Sequence, residues 1–166
     1  IISWGHGTTG SADACAPSRI TDLASGSYSS YVFPTLNHWL GKGYAVAMTD
    51  YEGLGTAGVH PWLIGPSEGR GVIDIVKAAR KLEPSISKNW VSAGHSQGGH
   101  ASLFPASLAK SWGTGLTLKG VIPFAPASNM KSTVLFAAGA VTGPNSISGL
   151  GALLVRTITQ ADTTLK

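Results

Sequence analysis

A serine set between two glycines carries the clearest chemical signature in this chain. Residues 94–98, with the sequence GHSQG, match the pattern G-x-S-x-G. In that pattern the serine occupies a strained turn between a strand and a helix and presents its hydroxyl as a nucleophile. Here strand-like residues 90–94 precede the serine, and a helical pattern over 100–112 follows it. The motif therefore predicts acyl transfer through an acyl-enzyme on Ser96, the alternative being a glycine turn with an incidental serine.

Acyl transfer also needs donors for the oxyanion that develops on the substrate carbonyl. The backbone N–H of Gln97, directly after the serine, is the first predicted donor. The second is the backbone N–H of Thr8, in a glycine-containing turn after the first strand. Asp50, at the end of the second strand, is its rival if the carboxyl is kept protonated. Otherwise Asp50 is a loop carboxylate bonded to backbone N–H groups, and the sequence leaves both possibilities open.

A serine nucleophile needs a base, and that base needs an orienting acid. After Ser96 the chain offers one histidine, His100, and one acid, Asp162. We expect His100 to pack beneath the sheet, because it lies one helical turn below the serine and points back along the helix. Asp162 has no histidine beside it. His60 and His6 remain as weak stand-in bases, since His60 belongs to the long loop at the predicted sheet edge and His6 lies nearest the predicted oxyanion turn.

Alternating strand and helix patterns position these residues. Short apolar runs predict strands over 1–6, 44–49, 90–94 and 118–124. Helical spacing predicts helices over 28–40, 67–82 and 100–112, with Ser67 as the cap of the second. Such alternation indicates βαβ units, and therefore a mostly parallel sheet with helices on both faces.

Composition narrows the function classes. The chain has 166 residues, enough for one domain, with 43% hydrophobic and only 12% charged residues. Its net charge of +4 is scattered along the sequence, which argues against a nucleic-acid partner. A single cysteine, Cys15, cannot form an internal disulfide. Because neither metal-ligand spacing nor a phosphate-binding glycine loop is present, we predict no metal and no cofactor.

No charged residue occurs between Ser132 and Val155. That length would suffice for a membrane span, but the sequence GPN at 143–145 interrupts it. We therefore expect two short apolar helices lying over the site. Residues 1–128 then form the core with the serine turn, and 129–166 begin an apolar helical cap. Trp62, Leu63 and the 136–154 segment, as apolar residues near the sheet edge, are expected to line an acyl pocket.

Several motifs in a fixed order resemble the secretory lipase family, the lipase-A-like α/β-hydrolases, in their actinobacterial form. They are SWGHGTTG at 3–10, CAPS at 15–18, GY at 43–44, DYEG at 50–53 and GHSQGGHA at 94–101. The resemblance implies a secreted or envelope-associated esterase or lipase with Ser96 as nucleophile. It also implies oxyanion donors at Gln97 and Asp50, and a helical lid after the strand that ends near Phe124. The family's acid and histidine come later in the fold, so the resemblance implies that the C-terminal part is missing here.

Three functions follow. The first is a carboxylesterase or lipase that takes a small-molecule ester or a lipid, with possible lipid-interface contact through the cap. The second is a catalytically incomplete fragment or pseudoenzyme that binds acyl ligands. The third is a membrane-associated or interaction module built on the uncharged 132–155 stretch. The sequence does not fix an oligomeric state. An opening apolar strand at Ile1, without an initiator methionine, predicts processing or a start inside a domain.

Overall fold

Four parallel strands form the centre of the computed structural model, which describes residues 1–20, 30–140, 143, 146–162 and 164. The strands are β1 (Ile2–Gly5), β2 (Val46–Met48), β3 (Asn89–His95) and β4 (Thr117–Phe124). Their order in the sheet is β2-β1-β3-β4, and every pairing is parallel. Gly5 of β1 pairs with Gly94 of β3. Consequently the loop after β1 and the turn after β3 leave the sheet side by side.

Six α-helices connect or follow the strands among the described residues. They are α1 (Phe33–Gly41), α2 (Gly65–Leu82), α3 (Gln97–Leu103), α4 (Pro105–Leu108), α5 (Met130–Ala140) and α6 (Ser146–Ala161). Short 3₁₀ turns occur at Asp13–Cys15, Pro17–Arg19 and Ser30–Val32. The predicted α/β class with a mostly parallel sheet and helices is confirmed.

Alternate residues of the central strands contact helices on opposite faces of the sheet. The Ser3 hydroxyl donates to the Val72 carbonyl of α2 over 2.7 Å, and Ser92 donates to Ser102 of α3 over 3.0 Å. On the other face Trp4 packs with α1 in a separate buried cluster. The period of two that side chains follow along a strand produces this division. Helices therefore cover both faces, as predicted.

The helix boundaries differ from the predictions at prolines. Helix α2 begins at Gly65 with Pro66 in its first turn, where a missing N–H costs nothing. Ser67 is therefore inside the helix and not its cap, and its hydroxyl donates to the Glu52 carboxylate. The prediction of a single helix over 100–112 is wrong. The observed helix begins at Gln97 and is interrupted before Pro105, which has no N–H to donate to the Ala101 carbonyl.

The remaining boundaries agree more closely. The strand predicted over 44–49 is shorter, Val46–Met48. Of the helix predicted over 28–40, residues 28 and 29 lie outside the described residues, and α1 begins at Phe33. The uncharged stretch forms two helices, α5 and α6, as expected. No helix in the described part of the chain has the length and apolar character needed to cross a bilayer.

Glycines let β1, β3 and α3 approach one another at the serine turn. A Cβ atom on Gly98 would lie 1.9 Å from the carbonyl oxygen of Gly5, far inside van der Waals contact. One on Gly94 would lie 2.3 Å from the carbonyl oxygen of Gly98. Because backbone atoms cannot be moved aside like a flexible side chain, any larger residue would separate α3 from the sheet.

Gly98→Ala should therefore lower the free energy of unfolding by more than about 3 kcal/mol or prevent folding, through overpacking against backbone. Urea unfolding followed by circular dichroism measures the loss. Gly120→Ala is the matched control, because a Cβ there meets no atom within 4 Å. Equal stabilities of the two variants would contradict the close packing described here.

Candidate active site

Ser96 occupies the turn between β3 and α3 in a backbone conformation that side-chain-bearing residues rarely adopt. Its φ is 57° and its ψ is −115°. Hydrogen bonds on both sides hold it there: the Ser96 N–H donates to the Phe124 carbonyl, and the Ser96 carbonyl accepts from the His100 N–H, each over 3.0 Å. Strained conformations persist where the surroundings over-determine them, and they concentrate at active sites. The geometry is that of the strained strand-to-helix turn that the motif predicts.

Gln97 and Thr8, the two predicted oxyanion donors, lie on the same cavity as Ser96. Gln97 is the first residue of α3, so its backbone N–H has no acceptor within the helix. The two side chains share one donor, since the Trp62 Nε1–H lies 3.0 Å from Thr8 Oγ1 and 3.1 Å from Gln97 Oε1. The structure brings both residues to the serine, while their role as donors stays a prediction.

Asp50, the rival donor, is not among the residues that line this cavity. Its Oδ1 accepts the Ser18 backbone N–H over 2.9 Å, and its Oδ2 accepts the Ser18 hydroxyl. These contacts are those of a loop carboxylate that fixes a neighbouring turn, the second of the two possibilities for this residue. An oxyanion role of Asp50 stays a prediction.

His60 is buried, with only 2% of its surface exposed, and both ring nitrogens are engaged. Its Nδ1 lies 2.8 Å from the Glu52 carbonyl oxygen, so that nitrogen carries the proton. Its Nε2 lies 2.8 Å from Gln97 Nε2, so it accepts a hydrogen bond from the amide. Burial lowers the pKa of His60 below its ordinary value, against the opposing influence of the Glu52 carbonyl. This arrangement provides no free lone pair for the Ser96 proton.

His6, the other stand-in base, is 3% exposed and its Nδ1 donates to the Gly7 carbonyl over 2.6 Å. Burial lowers its pKa, and the carbonyl groups of Gly7 and Asp50 oppose that shift. Its ring packs against Tyr51, with 4.5 Å between ring centroids. Neither His6 nor His60 lines the cavity at Ser96, so the structure does not bring the stand-in bases to the nucleophile.

His100 packs on α3 away from Ser96, and it also has a polar partner. Its Nδ1 lies 2.8 Å from Glu68 Oε2, and its ring lies against Phe104. Asp162 is exposed near the end of the chain, where its carboxylate accepts from the Thr164 hydroxyl and N–H. Those bonds, the hydroxyl first, lower the pKa of Asp162. Neither residue therefore lies beside Ser96 as a base or an orienting acid.

Glu68 is the site residue that sequence reasoning missed. Its carboxyl group is 1% exposed on α2 and contacts three groups. Oε1 accepts from the Leu63 N–H and from Gln97 Nε2, each over 2.8 Å, and Oε2 accepts from His100. The signal was present, because Glu68 precedes Val72 and Val76 at steps of four on the buried helix face. A carboxyl group in that stripe must find partners when buried.

An apolar cavity of about 440 Å³ opens at Ser96. Its polar end consists of Thr8, Ser96 and Gln97. The remaining walls come from the loop before α2, the loop after β4 and the two cap helices, α5 and α6, through Trp62, Leu63, Ala125, Ala127, Met130, Thr133, Val134, Ile147, Ser148, Leu150, Gly151, Leu154 and Val155. None of the described residues lining it is a histidine or a carboxylic acid. Trp62, Leu63 and the 147–154 part of the predicted wall are placed as expected.

A strained serine turn beneath a mostly apolar cavity with a few polar groups is typical of a small-molecule site. The family model described as secretory lipase matches residues 24–166. The chain belongs to the secretory lipase family. This match confirms the resemblance seen in the motifs. Lipase A of Moesziomyces aphidis is 30% identical over 123 residues, which are 72% of this chain and 26% of that protein.

Solved structures show the same relationship for this secretory lipase chain. A Legionella pneumophila protein described as a candidate hydrolase gives a TM-score of 0.73 at 27% identity, over 98% of this chain and 43% of its own. Candida antarctica lipase A gives a TM-score of 0.61 at 25% identity, and the match covers 82% of this chain and 32% of that protein. The rice cell wall degrading esterase LipA of Xanthomonas oryzae gives a TM-score of 0.59 at 26% identity, and the match covers 81% of this chain and 35% of that protein. The chain thus spans less than half of each relative.

Stability should fall as the pH is lowered from about 7.5 to about 5.5, because His60 is held neutral in the fold. With its folded pKa lowered from 6.5, the unfolded state takes up the proton first. As the pH falls through the ordinary histidine pKa of 6.5, the unfolded state binds more protons than the folded state, so the free energy of unfolding decreases. Buried His6, whose pKa is also lowered, contributes with the same sign. Urea midpoints at both pH values measure the effect.

His60→Gln should reduce this pH dependence, since an amide has no proton to gain in this range. His38→Gln is the matched control at an exposed histidine, and it should retain the wild-type dependence. An undiminished pH dependence in His60→Gln would show that His60 is not held neutral by the fold.

Proposed function

We propose that this chain carries the nucleophile and oxyanion half of a serine carboxylic-ester hydrolase, of carboxylesterase or triacylglycerol lipase type. The observation that supports it most directly is the strained Ser96 backbone at the polar end of an apolar cavity. Membership of the secretory lipase family supports hydrolysis, and the family's name supports a secreted protein.

In the proposed reaction, Ser96 Oγ attacks the ester carbonyl carbon and gives its proton to a base. The carbonyl oxygen becomes an oxyanion, which accepts from the backbone N–H groups of Gln97 and Thr8. Collapse breaks the bond to the alcohol, which leaves with the proton from the base, and an acyl-enzyme remains. Water then attacks that ester, releases the acid and returns the proton to Ser96.

The substrate proposed for the cavity is an ester with an apolar acyl chain. Its walls offer mostly aliphatic and indole surface, with the polar residues Thr8 and Gln97 beside Ser96 and Thr133 and Ser148 on the cap helices. Burying each methylene of an acyl chain there contributes about 0.8 kcal/mol. The cap helices α5 and α6 also expose Leu135 and Val155, at 64% and 63%, which supports contact with a lipid surface.

Turnover of p-nitrophenyl esters by the chain and by Ser96→Ala tests this proposal. Since none of the described residues lining the cavity is a histidine, added imidazole should supply the base and raise wild-type turnover by at least about tenfold. Ser96→Ala should show only the solution reaction of imidazole with the ester. Intact-protein mass spectrometry should detect one acyl group on the wild type and none on the variant. Equal rates and no acyl adduct would refute a serine esterase in this chain.

Leu154→Trp should select against long acyl chains, because Leu154 lines the cavity on α6. We expect kcat/KM for p-nitrophenyl decanoate to fall by at least about tenfold more than kcat/KM for p-nitrophenyl acetate. Leu135→Trp is the matched control on α5, where the side chain faces outward. If both variants keep the wild-type ratio of the two rates, acyl binding in this cavity is refuted.

A further inference from the structure

One chain of buried hydrogen bonds joins α2 to both predicted oxyanion residues. Glu68 Oε1 accepts from Gln97 Nε2, Gln97 Oε1 accepts from Trp62 Nε1–H, and the same indole hydrogen reaches Thr8 Oγ1. Trp62 therefore bridges the side chains of the two residues that are proposed as oxyanion donors. Thr8 follows β1 and Gln97 follows β3, so this bridge links two separate loops.

The direction of every bond in this chain is fixed by chemistry. An indole N–H can only donate, so the oxygen of the Gln97 amide must face Trp62. The amide nitrogen must then face Glu68 and the His60 Nε2. Rotating the Gln97 amide by half a turn would set donor against donor at Trp62. The Gln97 side chain thus has one orientation, and the backbone that carries it is held with it.

Glu68 also holds the loop that carries the tryptophan. The carboxyl oxygen that binds Gln97 accepts the backbone N–H of Leu63, the residue after Trp62, over 2.8 Å. Leu63 has a φ of 58°, which is costly for a residue with a side chain. A hydrogen bond to a buried acceptor stabilises that conformation, and with it the position of the indole ring.

Three of the residues in this chain of hydrogen bonds are almost fully buried. Glu68 and Gln97 are each 1% exposed, and Trp62 is 6% exposed. Removing one partner would leave the others buried and unsatisfied, which costs about 1–3 kcal/mol for each such group. We expect the loops that carry Thr8 and Trp62 to move so that these groups recover hydrogen bonds.

We propose that Trp62 and Glu68 are positioning residues, which set the distance between the Thr8 and Gln97 backbone amides through this hydrogen-bond chain. The inference rests on the proposed function for its catalytic consequence. Oxyanion donors act only when they lie at hydrogen-bonding distance from the developing charge. A displacement of about 1 Å can cost about 100-fold in rate, so losing the bridge should lower kcat more than it raises KM.

Trp62→Phe tests the bridge, since it removes the indole N–H and keeps an aromatic wall. In imidazole-supported turnover of p-nitrophenyl acetate we expect kcat to fall by about 10- to 100-fold, with KM within about threefold of wild type. Trp112→Phe is the matched control, because it removes an indole N–H that donates to Asp74 on the outside of α2.

Glu68→Met and Glu68→Gln test the other end of this hydrogen-bond chain. Met keeps the volume and removes the acceptors, whereas Gln keeps one carbonyl oxygen for Leu63 and Gln97. We expect Glu68→Met to lower kcat like Trp62→Phe, and Glu68→Gln to recover most of it. Were Glu68→Met unable to fold, Trp62→Phe would still break the same chain from its other end.

Backbone amide resonances of Thr8 and Gln97, from ¹H–¹⁵N spectra, report the bridge without any turnover. Both should move together in Trp62→Phe and in Glu68→Met, and remain in place in Trp112→Phe. Unmoved Thr8 and Gln97 resonances in Trp62→Phe would overturn the positioning role. Absent turnover in the wild type would instead refute the proposed function, because the resonances would still show whether the bridge exists.

Discussion

The close approach of three backbones at Gly5, Gly94 and Gly98 is the constraint on which the rest of this structure depends. With a Cβ on Gly98 placed 1.9 Å from the Gly5 oxygen, only glycine lets α3 start directly above β1 and β3. That position aligns the Gln97 amide with the loop after β1. Ser96, which joins β3 to α3 between these glycines, has a strained φ of 57°. The energy of that strain is offset by core burial on α2 and α3.

The turn between β3 and α3 at Ser96, here called the elbow, has different surroundings on its two sides. Toward the cavity, Ser96 meets apolar walls, where a developing oxyanion would have few solvent partners and backbone N–H groups count for more than in water. Toward the core, Glu68, Gln97, His60 and His100 satisfy one another in a closed polar network. Such a network fixes orientation when every member has a partner. The elbow thus lies between an apolar chamber and a polar support.

Local signals predicted much of this fold, and the reasons for the failures are physical. The strand, glycine turn and helix around Ser96 are encoded within about ten residues, so the motif located them. The two cap helices followed from the absence of charge in 132–155 and its GPN interruption. Glu68 was missed because its partners, Leu63, Gln97 and His100, come from three different segments. Boundaries near Pro66 and Pro105 depended on single backbone N–H groups, which apolar periodicity does not report.

The histidines illustrate why proximity to a sheet edge is insufficient to identify a base. His60 and His6 were both expected near Ser96, and both are buried in the core. A general base must be neutral and must have a free lone pair directed at the hydroxyl. Burial keeps His60 neutral, but its Nε2 is occupied by Gln97, so the contact that makes it a good structural histidine makes it a poor base. The conformation of the turn at Ser96 is therefore separable from proton transfer. Backbone packing of β1, β3 and α3 fixes the turn, whereas proton transfer from Ser96 would need an imidazole that faces the cavity.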